Sequence, residues 1–387
     1  MFLCNFAAVL KNLLILQTFN SKKMQDIINL RHTLHGNAEL SGNEVKTNKI
    51  LNDFLETLNP DVHIRNIGGN GIAVVFKGGN EGRRIMVRGD IDALNIPEGD
   101  RHCSHRCGHD GHAAIIAGLA QRLAEKRPDN GEVVLLFQPA EETGQGAKAV
   151  LEDPQFQLIK PDLAFALHNL PGYEKNMIMI KNDCFAAASL GLKLVFEGVT
   201  AHASQPETGR SPMHVMAALL DIFKKKADML LDEVPLTMLT VTHAVLGEET
   251  FGVAPGHAEI WMTLRSYDND KLQHLTADVV QLCQMVADKQ RFRFNSSIHE
   301  AFPATMNSDN EVLTVRNAAE SLSLEYQYLD EPFRWSEDFG RFASVCPCAM
   351  FGLGCGTEHL PLHNPDYEFD DGILKTGIEI FEKIVRM

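Results

Sequence analysis

The chain has 387 residues, of which 44% are hydrophobic and 22% are charged, and this composition excludes a mainly disordered chain and a polytopic membrane protein. Acidic residues outnumber basic residues by 51 to 36. The resulting net charge of −15 argues against nucleic acid as a partner, because phosphate backbones would be repelled. The eight cysteines are too few and too irregularly spaced for a disulfide framework, which favours a cytoplasmic location.

Residues 1–23 are interpreted as an N-terminal extension. The segment is apolar, but Lys11 and Asn12 divide it, and it is too short to cross a bilayer. It has neither a basic start nor a small-residue cleavage site, so a signal peptide is the weaker alternative to a disordered or helical extension. A true start at Met24 is a further alternative, and no membrane partner is expected.

From Met24 onwards, segments with helical and strand patterns alternate. Helices are predicted at 24–58 with a break around 36–42, at 112–126 and from residue 146. Short apolar strands are predicted between them at 71–76, 84–87, 132–137 and 162–167. Apolar strands separated by helices are typical of a mostly parallel sheet covered on both faces, so this part predicts an α/β domain.

A different order of elements begins near residue 186. Strands and helices then follow the order β-α-β-β-α-β up to about residue 300, which is the ferredoxin-like layout of an α+β domain. A helix at 310–322, a short strand at 349–352 and a helix at 372–385 resume the first pattern. The prediction is therefore an α/β domain made of residues 24–185 and 301–387, with an α+β domain of residues 186–300 inserted in it.

Polar side chains collect where the predicted strands of the α/β domain end. The clusters are Asp90 and Asp92 after one strand, residues 107–112 before a helix, Glu141 and Glu142 after another strand, and His168 at the end of a third. Ligands of open parallel sheets bind just beyond the carboxyl ends of the strands. The sequence therefore predicts one functional site built from these clusters.

The chemistry of these clusters favours a metal centre. Cys107 and His109 are two residues apart, so a single turn can direct a thiolate and an imidazole at one ion, and His105 and His112 are close by. Thiolate, imidazole and carboxylate together suit zinc or a similar divalent transition ion. A buried apolar cysteine among surface histidines is the alternative, and the nearby carboxylates argue against it.

Glu141 and Glu142 are adjacent carboxylates with diverging side chains. One of them can bind a metal while the other faces the water that the metal activates, which is the division of labour that metal-assisted hydrolysis requires. The glycines that follow could indicate a phosphate loop, but the Gly-Lys-Ser/Thr ending of such a loop is missing.

Seven motifs together resemble the amidohydrolase family of hippurate hydrolases, N-acyl-amino-acid deacylases and indole-acetyl-amino-acid hydrolases, within the aminoacylase-type metallopeptidases. They are RGDIDAL at 88–94, CGHDGH at 107–112, FQPAEE at 137–142, LHN at 167–169, HASQP at 202–206, SEDF at 336–339 and LHNP at 362–365. They occur in order over residues 25–385, nearly the whole chain. The resemblance implies a metal-bearing α/β catalytic domain with an inserted ferredoxin-like domain that serves as a lid and as a dimer interface.

The resemblance also implies roles for individual residues. The matched metal ligands are Cys107, His109, Glu142, His168 and His363. Glu141 matches the general base, Asp90 matches the catalytic aspartate that orients a ligand, and His202 matches a histidine of the inserted domain that completes the active site. The expected cofactor is a divalent transition metal, zinc or manganese, with one or two ions per chain, and a homodimer through the inserted domain is expected.

The sequence departs from the family at several positions. The loop between Asp92 and Cys107 is short and rich in histidine, arginine and cysteine, and residues 209–212 differ from the usual pattern, so the substrate preference and contacts near His202 cannot be copied. His359 lies four residues before His363 and is an alternative ligand. Arg265, on the polar side of its predicted strand, could bind a substrate carboxylate or could be a surface charge.

The function predicted from these residues is metal-dependent hydrolysis of an N-acyl amino acid, or a related small amide, to a carboxylate and an amine. Glu141 would take a proton from water and return it to the leaving amine, and His202 would help to hold the oxyanion. One alternative is a dipeptidase or other exopeptidase of the same clan. The other is a catalytically silent metal-binding relative, against which the presence of Asp90, of Glu141 and of all five expected ligands argues.

Overall fold

The computed structural model describes residues 22–387, and the predictions for the N-terminal extension concern residues outside this range apart from its last two. The chain divides into two compact units. Unit 1 contains the described residues up to Asp183 together with Asn307–Asp330 and Arg341–Met387, and unit 2 contains Cys184–Met306 and Glu331–Gly340. In the described part of the chain, no helix has the length and apolar character needed to cross a bilayer.

Strands and helices are numbered here in chain order. The strands are β1 Val62–Ile67, β2 Gly71–Lys77, β3 Asn80–Asp90, β4 Asn130–Gln138, β5 Leu163–Pro171, β6 Ile178–Ile180, β7 Asp183–Ala186, β8 Ala188–Glu197, β9 Ala201–His202, β10 Thr237–Leu246, β11 Val253–Ala254, β12 His257–Ser266, β13 Arg293–Phe302, β14 Thr305–Asn307, β15 Tyr326–Tyr328 and β16 Cys348–Gly356. The helices are α1 22–36, α2 Val45–Glu56, α3 His109–Glu125, α4 Gly146–Glu152, α5 Phe156–Ile159, α6 Met213–Leu230, α7 Asn269–Gln290, α8 Asp309–Ser321 and α9 Leu374–Val385.

Unit 1 is built on an eight-stranded sheet in the order β1-β2-β4-β3-β5-β16-β6-β15. The central strands β4, β3, β5 and β16 run parallel to one another, while β1, β2 and β6 join through antiparallel pairs. The middle of β4 and β5 is buried on both faces, as expected for apolar strands between helical layers. The predicted α/β architecture is confirmed, with a sheet that is mixed at its edges.

The parallel strands bring their carboxyl ends to one edge of the sheet in unit 1. Asp90 at the end of β3 pairs in register with Gln138 at the end of β4. On the other side of β3, β5 carries His168 near its end, and His168 pairs with Gly352 of β16. The segments that follow these strands therefore start from neighbouring positions, and this arrangement assembles the candidate site.

Unit 2 contains a four-stranded antiparallel sheet in the order β10-β12-β8-β13. Together with α6 and α7 it has the β-α-β-β-α-β order predicted for the inserted domain. Alternate residues of β8 and β12 are buried, and they form one core with apolar residues of the two helices. The short strands β9 and β11 form a separate two-stranded sheet in which His202 pairs with Val253.

Two details of the structure differ from the elements predicted from the sequence. Helix α3 begins at His109, three residues before the predicted start, so the last four residues of the CGHDGH motif form its first turn. Segment Glu331–Gly340, which contains the SEDF motif, clusters with unit 2. Within that unit, Arg265 donates hydrogen bonds to the carbonyl oxygen of Arg334 and to the hydroxyl of Ser336.

Candidate metal centre

The turn before α3 presents Cys107 and His109 side by side. Gly108 between them has φ +95°, a left-handed conformation that favours glycine, and it is the residue that caps α3. A Cβ atom at Gly108 would lie 2.6 Å from Oδ1 of Asn169, so a side chain there would also collide with this residue of β5. Both Cys107 and His109 are buried. The backbone therefore folds so that thiol and imidazole point into one enclosed space.

His168 on β5 faces the same space from the neighbouring strand. Its Nε2 lies 3.5 Å from the sulfur of Cys107, and its Nδ1 lies 2.9 Å from the carbonyl oxygen of Asn169. Because the carbonyl oxygen can only accept, Nδ1 carries the proton and Nε2 presents a lone pair to the cysteine side. The ring is thus held in the tautomer that can ligate a metal through Nε2.

Glu141 and Glu142 both approach the free ring nitrogen of His109. Oε2 of Glu141 is 3.9 Å and Oε1 of Glu142 is 3.7 Å from His109 Nε2. The preceding residue, Ala140, has φ +51° and donates its N–H to a carboxylate oxygen of Glu44 at 2.8 Å. This bend after β4 turns the two adjacent carboxylates towards the sheet edge.

His363 completes the cluster from the C-terminal part of unit 1. Its backbone N–H donates to the carbonyl oxygen of Arg106 at 2.8 Å, and its φ is +66°. The potential ligand atoms form two groups, and within each group they lie within 4.8 Å of one another. The first group is Cys107, Glu142 and His363, and the second is Cys107, His109 and His168. His359, the alternative ligand, is half-buried, with its Nδ1 3.3 Å from the carbonyl oxygen of Leu360.

The donor set fits a divalent transition metal. His109 Nε2 is buried and has no hydrogen-bond partner among the described residues, although three carboxylates lie within 4 Å of it. A buried imidazole nitrogen without a hydrogen-bond partner is costly, and a metal ion is a ligand that would satisfy it. A thiol, imidazoles and carboxylates around one point are the ligands that zinc and similar ions prefer.

The electrostatics of the cluster support the presence of a cation. Burial, with the nearby carboxylate of Glu142, raises the pKa of the Cys107 thiol to about 12. Burial alone would lower the pKa of His109, but Asp90 and Cys107 outweigh it and raise that pKa well above its usual value. The acidic groups around His109 therefore favour a positive charge at this position, which a metal ion would supply.

The two aspartates of the RGDIDAL motif have different partners. Asp92 accepts from His109: Nδ1 of the ring lies 3.0 Å from its carbonyl oxygen and 3.2 Å from Oδ1. Asp90 instead lies 2.6 Å from Nδ1 of His112 and 3.8 Å from His109 Nε2. The carboxylate that orients His109 is thus that of Asp92, which the sequence reasoning placed in the cluster but gave no role. The sequence feature that indicated Asp92 was its position directly after the end of the predicted strand.

Two predicted functional residues lie in unit 2. His202 on β9 is exposed, and its Nδ1 accepts the backbone N–H of Ser204 at 3.1 Å, with the Ser204 hydroxyl at 2.7 Å. Arg265 on β12 is partly buried and has no carboxylate partner among the described residues. Burial lowers the pKa of this guanidinium from its usual value.

Comparison with known proteins assigns the chain to a family. Hippurate hydrolase of Campylobacter jejuni is 29% identical over 365 residues, covering 92% of this chain and 94% of the relative. N-acetyl-L-cysteine deacetylase of Bacillus subtilis is 29% identical over 374 residues, covering 94% of this chain and 88% of the relative. A dinuclear metal-binding M20 peptidase of Bacillus subtilis has the same fold, with a TM-score of 0.79 over 95% of this chain and 98% of that chain at 24% identity. Residues 86–387 match peptidase family M20/M25/M40, and the chain belongs to that family.

Proposed function

We propose that the protein is a metal-dependent amidohydrolase that splits N-acyl amino acids, or related small amides, into a carboxylate and an amine. The observation that carries the proposal is the convergence of a thiol, imidazoles and two adjacent glutamates around Nε2 of His109. The names of the two curated relatives, a hippurate hydrolase and an N-acetyl-L-cysteine deacetylase, support the same reaction class.

In this proposal five residues hold one or two divalent ions, with zinc or manganese as the metal. They are Cys107, His109, Glu142, His168 and His363. When bound, the metal supplies Lewis acidity to the scissile carbonyl and to the attacking water. Asp92 keeps His109 in position through Nδ1, and the backbone carbonyl of Asn169 does the same for His168.

Glu141 acts as the general base and acid. Its side chain is buried at the edge of the ligand cluster, 3.9 Å from His109 Nε2, while the backbone N–H of Glu142 is held by Asp92 at 3.0 Å. The adjacent residue is thereby fixed, and in this proposal Glu141 takes a proton from water and passes it to the leaving amine. Asp90 is assigned a positioning role, because its carboxylate is bound by His112 and Arg88.

His202 is proposed to donate a hydrogen bond to the oxyanion that forms during hydrolysis. Because the Ser204 N–H donates to Nδ1, the neutral ring carries its proton on Nε2, which is the donor that an oxyanion requires. Arg265 is proposed to bind the substrate carboxylate. Its guanidinium donates to a carbonyl oxygen and a hydroxyl, and neither of these neutralises its charge.

A homodimer through unit 2 and a cytoplasmic location complete the proposal. Strand β10 is an edge strand whose residues Thr242, His243 and Ala244 are exposed, and helix α6, which packs on it, exposes Met213 and Ile222. An exposed sheet edge beside apolar helix residues suits pairing with a second copy of the chain. The cysteines of the described residues are all free thiols, as expected in a reducing compartment.

A substrate panel assayed with and without added zinc or manganese tests the function. We expect hydrolysis of N-acyl amino acids that is abolished by a chelator and restored by metal. Preference for dipeptides with a free amine would instead assign the protein to the exopeptidases of the family. No hydrolysis of either class by the metal-loaded protein would identify a silent relative.

A further inference from the structure

Six buried polar side chains of unit 1 form one continuous hydrogen-bonded network. Starting from the end of β4, they are Gln138, Arg88, Asp90, His112, Asn169 and Tyr367, and we call them the buried polar network. Each of them exposes 2% of its surface or less. Buried polar groups of this kind are costly unless every one is hydrogen-bonded, so the network stabilises one arrangement of the segments that carry it.

Five contacts of 2.5–2.9 Å link the six side chains of the network. Arg88 donates to Oε1 of Gln138 at 2.9 Å and to Oδ2 of Asp90 at 2.6 Å. Nδ1 of His112 lies 2.6 Å from the other oxygen of Asp90, and its Nε2 lies 2.5 Å from Oδ1 of Asn169. The amide nitrogen of Asn169 then donates to the hydroxyl of Tyr367 at 2.5 Å.

Every segment that carries a proposed metal ligand also contributes to the network or contacts it. Gln138 precedes Glu142 by four residues, His112 follows His109 by three in α3, and Asn169 follows His168 directly. Tyr367 links the network to the C-terminal segment that carries His363. The carbonyl oxygen of Tyr367 accepts a hydrogen bond from the guanidinium of Arg106, and the carbonyl oxygen of Arg106 accepts one from the backbone N–H of His363.

His112 and Asn169 occupy the centre of the network, beside the metal ligands themselves. Both ring nitrogens of His112 lie within hydrogen-bond distance of protein atoms, whereas Nε2 of His109 has no hydrogen-bond partner among the described residues. The amide of Asn169 packs against Gly108, between Cys107 and His109. The network therefore touches the ligand turn without contributing a ligand.

We propose that the buried polar network is a positioning device that fixes the spacing of the ligand segments before the metal arrives, with Tyr367 as its distal anchor. The inference rests on the proposed metal centre. Mutation of residues that orient metal ligands through hydrogen bonds typically lowers metal affinity by ~10–100-fold. Removal of the Tyr367 hydroxyl should therefore alter the positions of the proposed ligands through Asn169 and His112. The hydrogen bond that this hydroxyl makes is to Asn169, which is not one of the proposed ligands.

The test compares Tyr367→Phe with the matched control Tyr326→Phe. Each change removes one hydroxyl of unit 1, but the Tyr326 hydroxyl bonds to Glu320 on the exposed surface. Cobalt(II) serves as the probe, and its dissociation constant is measured by competition with a chelator. We expect the cobalt dissociation constant to rise by about tenfold or more in Tyr367→Phe and to stay at the wild-type value in Tyr326→Phe. Equal affinity in both variants overturns the proposal.

A second variant, His112→Gln, breaks the network at its centre, and the double variant measures coupling. Two breaks in one network should cost less together than the product of their separate losses, whereas independent effects multiply and would overturn the proposal. The thiolate-to-cobalt absorption band should change in both single variants, because the position of Cys107 changes. A wild-type protein that binds no cobalt contradicts the metal centre itself. A protein that binds cobalt as expected but hydrolyses no amide contradicts only the proposed reaction.

Discussion

Glu141 and Glu142 are neighbours in the sequence, and at the scale of single residues they offer the sharpest test of the mechanism. Glu141→Gln keeps the size of the side chain and removes the base, so turnover should fall by ~10²-fold or more while the metal is retained. Glu142→Gln should weaken metal binding by at least ~10-fold, because it replaces a ligand. Kinetics and elemental analysis of both variants make the comparison, and the opposite pattern would exchange the two roles.

The partners of the aspartates show how far single residues could be predicted. Asp90 and Asp92 follow a strand end in the sequence, which was enough to place both in the cluster. Which of them faces His109 depends on the direction in which each side chain leaves the backbone after β3, and the motif alone does not contain that information. The part played by Tyr367 could not be predicted either, because its partner Asn169 is 198 residues away in the chain.

At the scale of elements, helices α1 and α3 are joined by a partly buried ion pair. Nδ1 of His35 lies 2.9 Å from Oδ2 of Asp110 in the first turn of α3, and the charged groups near this pair include Glu98 and Arg31. The hydrogen bond to Asp110 is the largest of the effects that raise the pKa of His35 above its usual value. The pair should therefore make the docking of α1 on α3 depend on pH.

We expect the stabilisation by this pair to be complete below the ordinary histidine pKa of about 6.5 and to be lost as the pH rises through the raised pKa of His35. In metal-free protein, His35→Gln should thus lower the free energy of unfolding most at pH 5.5–6, by on the order of 1 kcal/mol, and progressively less above neutrality. Urea unfolding at a series of pH values measures this difference. His214→Gln, an exposed histidine of α6, is the control. A difference that does not vary with pH would exclude a charged His35.

The start of α3 also shows what the sequence could and could not predict about elements. The alternation of apolar strands and helices was sufficient for the α/β architecture and for the β-α-β-β-α-β order of unit 2. The helix start at His109 was predicted three residues too late, because polar residues in a first turn read as a loop. Here they are buried by contacts with distant segments, such as Asp110 with His35.

For the whole molecule, the two units should respond differently to removal of the metal. All five proposed ligands belong to unit 1. A ligand that binds only the native state stabilises it by about 2.7 kcal/mol at a hundred times its dissociation constant, so a chelator should destabilise unit 1 and leave unit 2 largely unaffected. Hydrogen exchange should become faster in the first turns of α3 and remain unchanged in β8. An equal change in both would contradict a metal centre confined to unit 1.

Two residues of the metal centre lie in backbone conformations that side chains avoid. Ala140, directly before the two glutamates, has φ +51°, and the proposed ligand His363 has φ +66°. The left-handed region costs a residue with a Cβ roughly 1–2 kcal/mol. Glycine at either position would relieve this strain, and at residue 363 it would remove a ligand as well. Substitutions chosen for thermal stability alone would therefore favour glycine at residue 363, where higher heat resistance would come at the expense of catalysis.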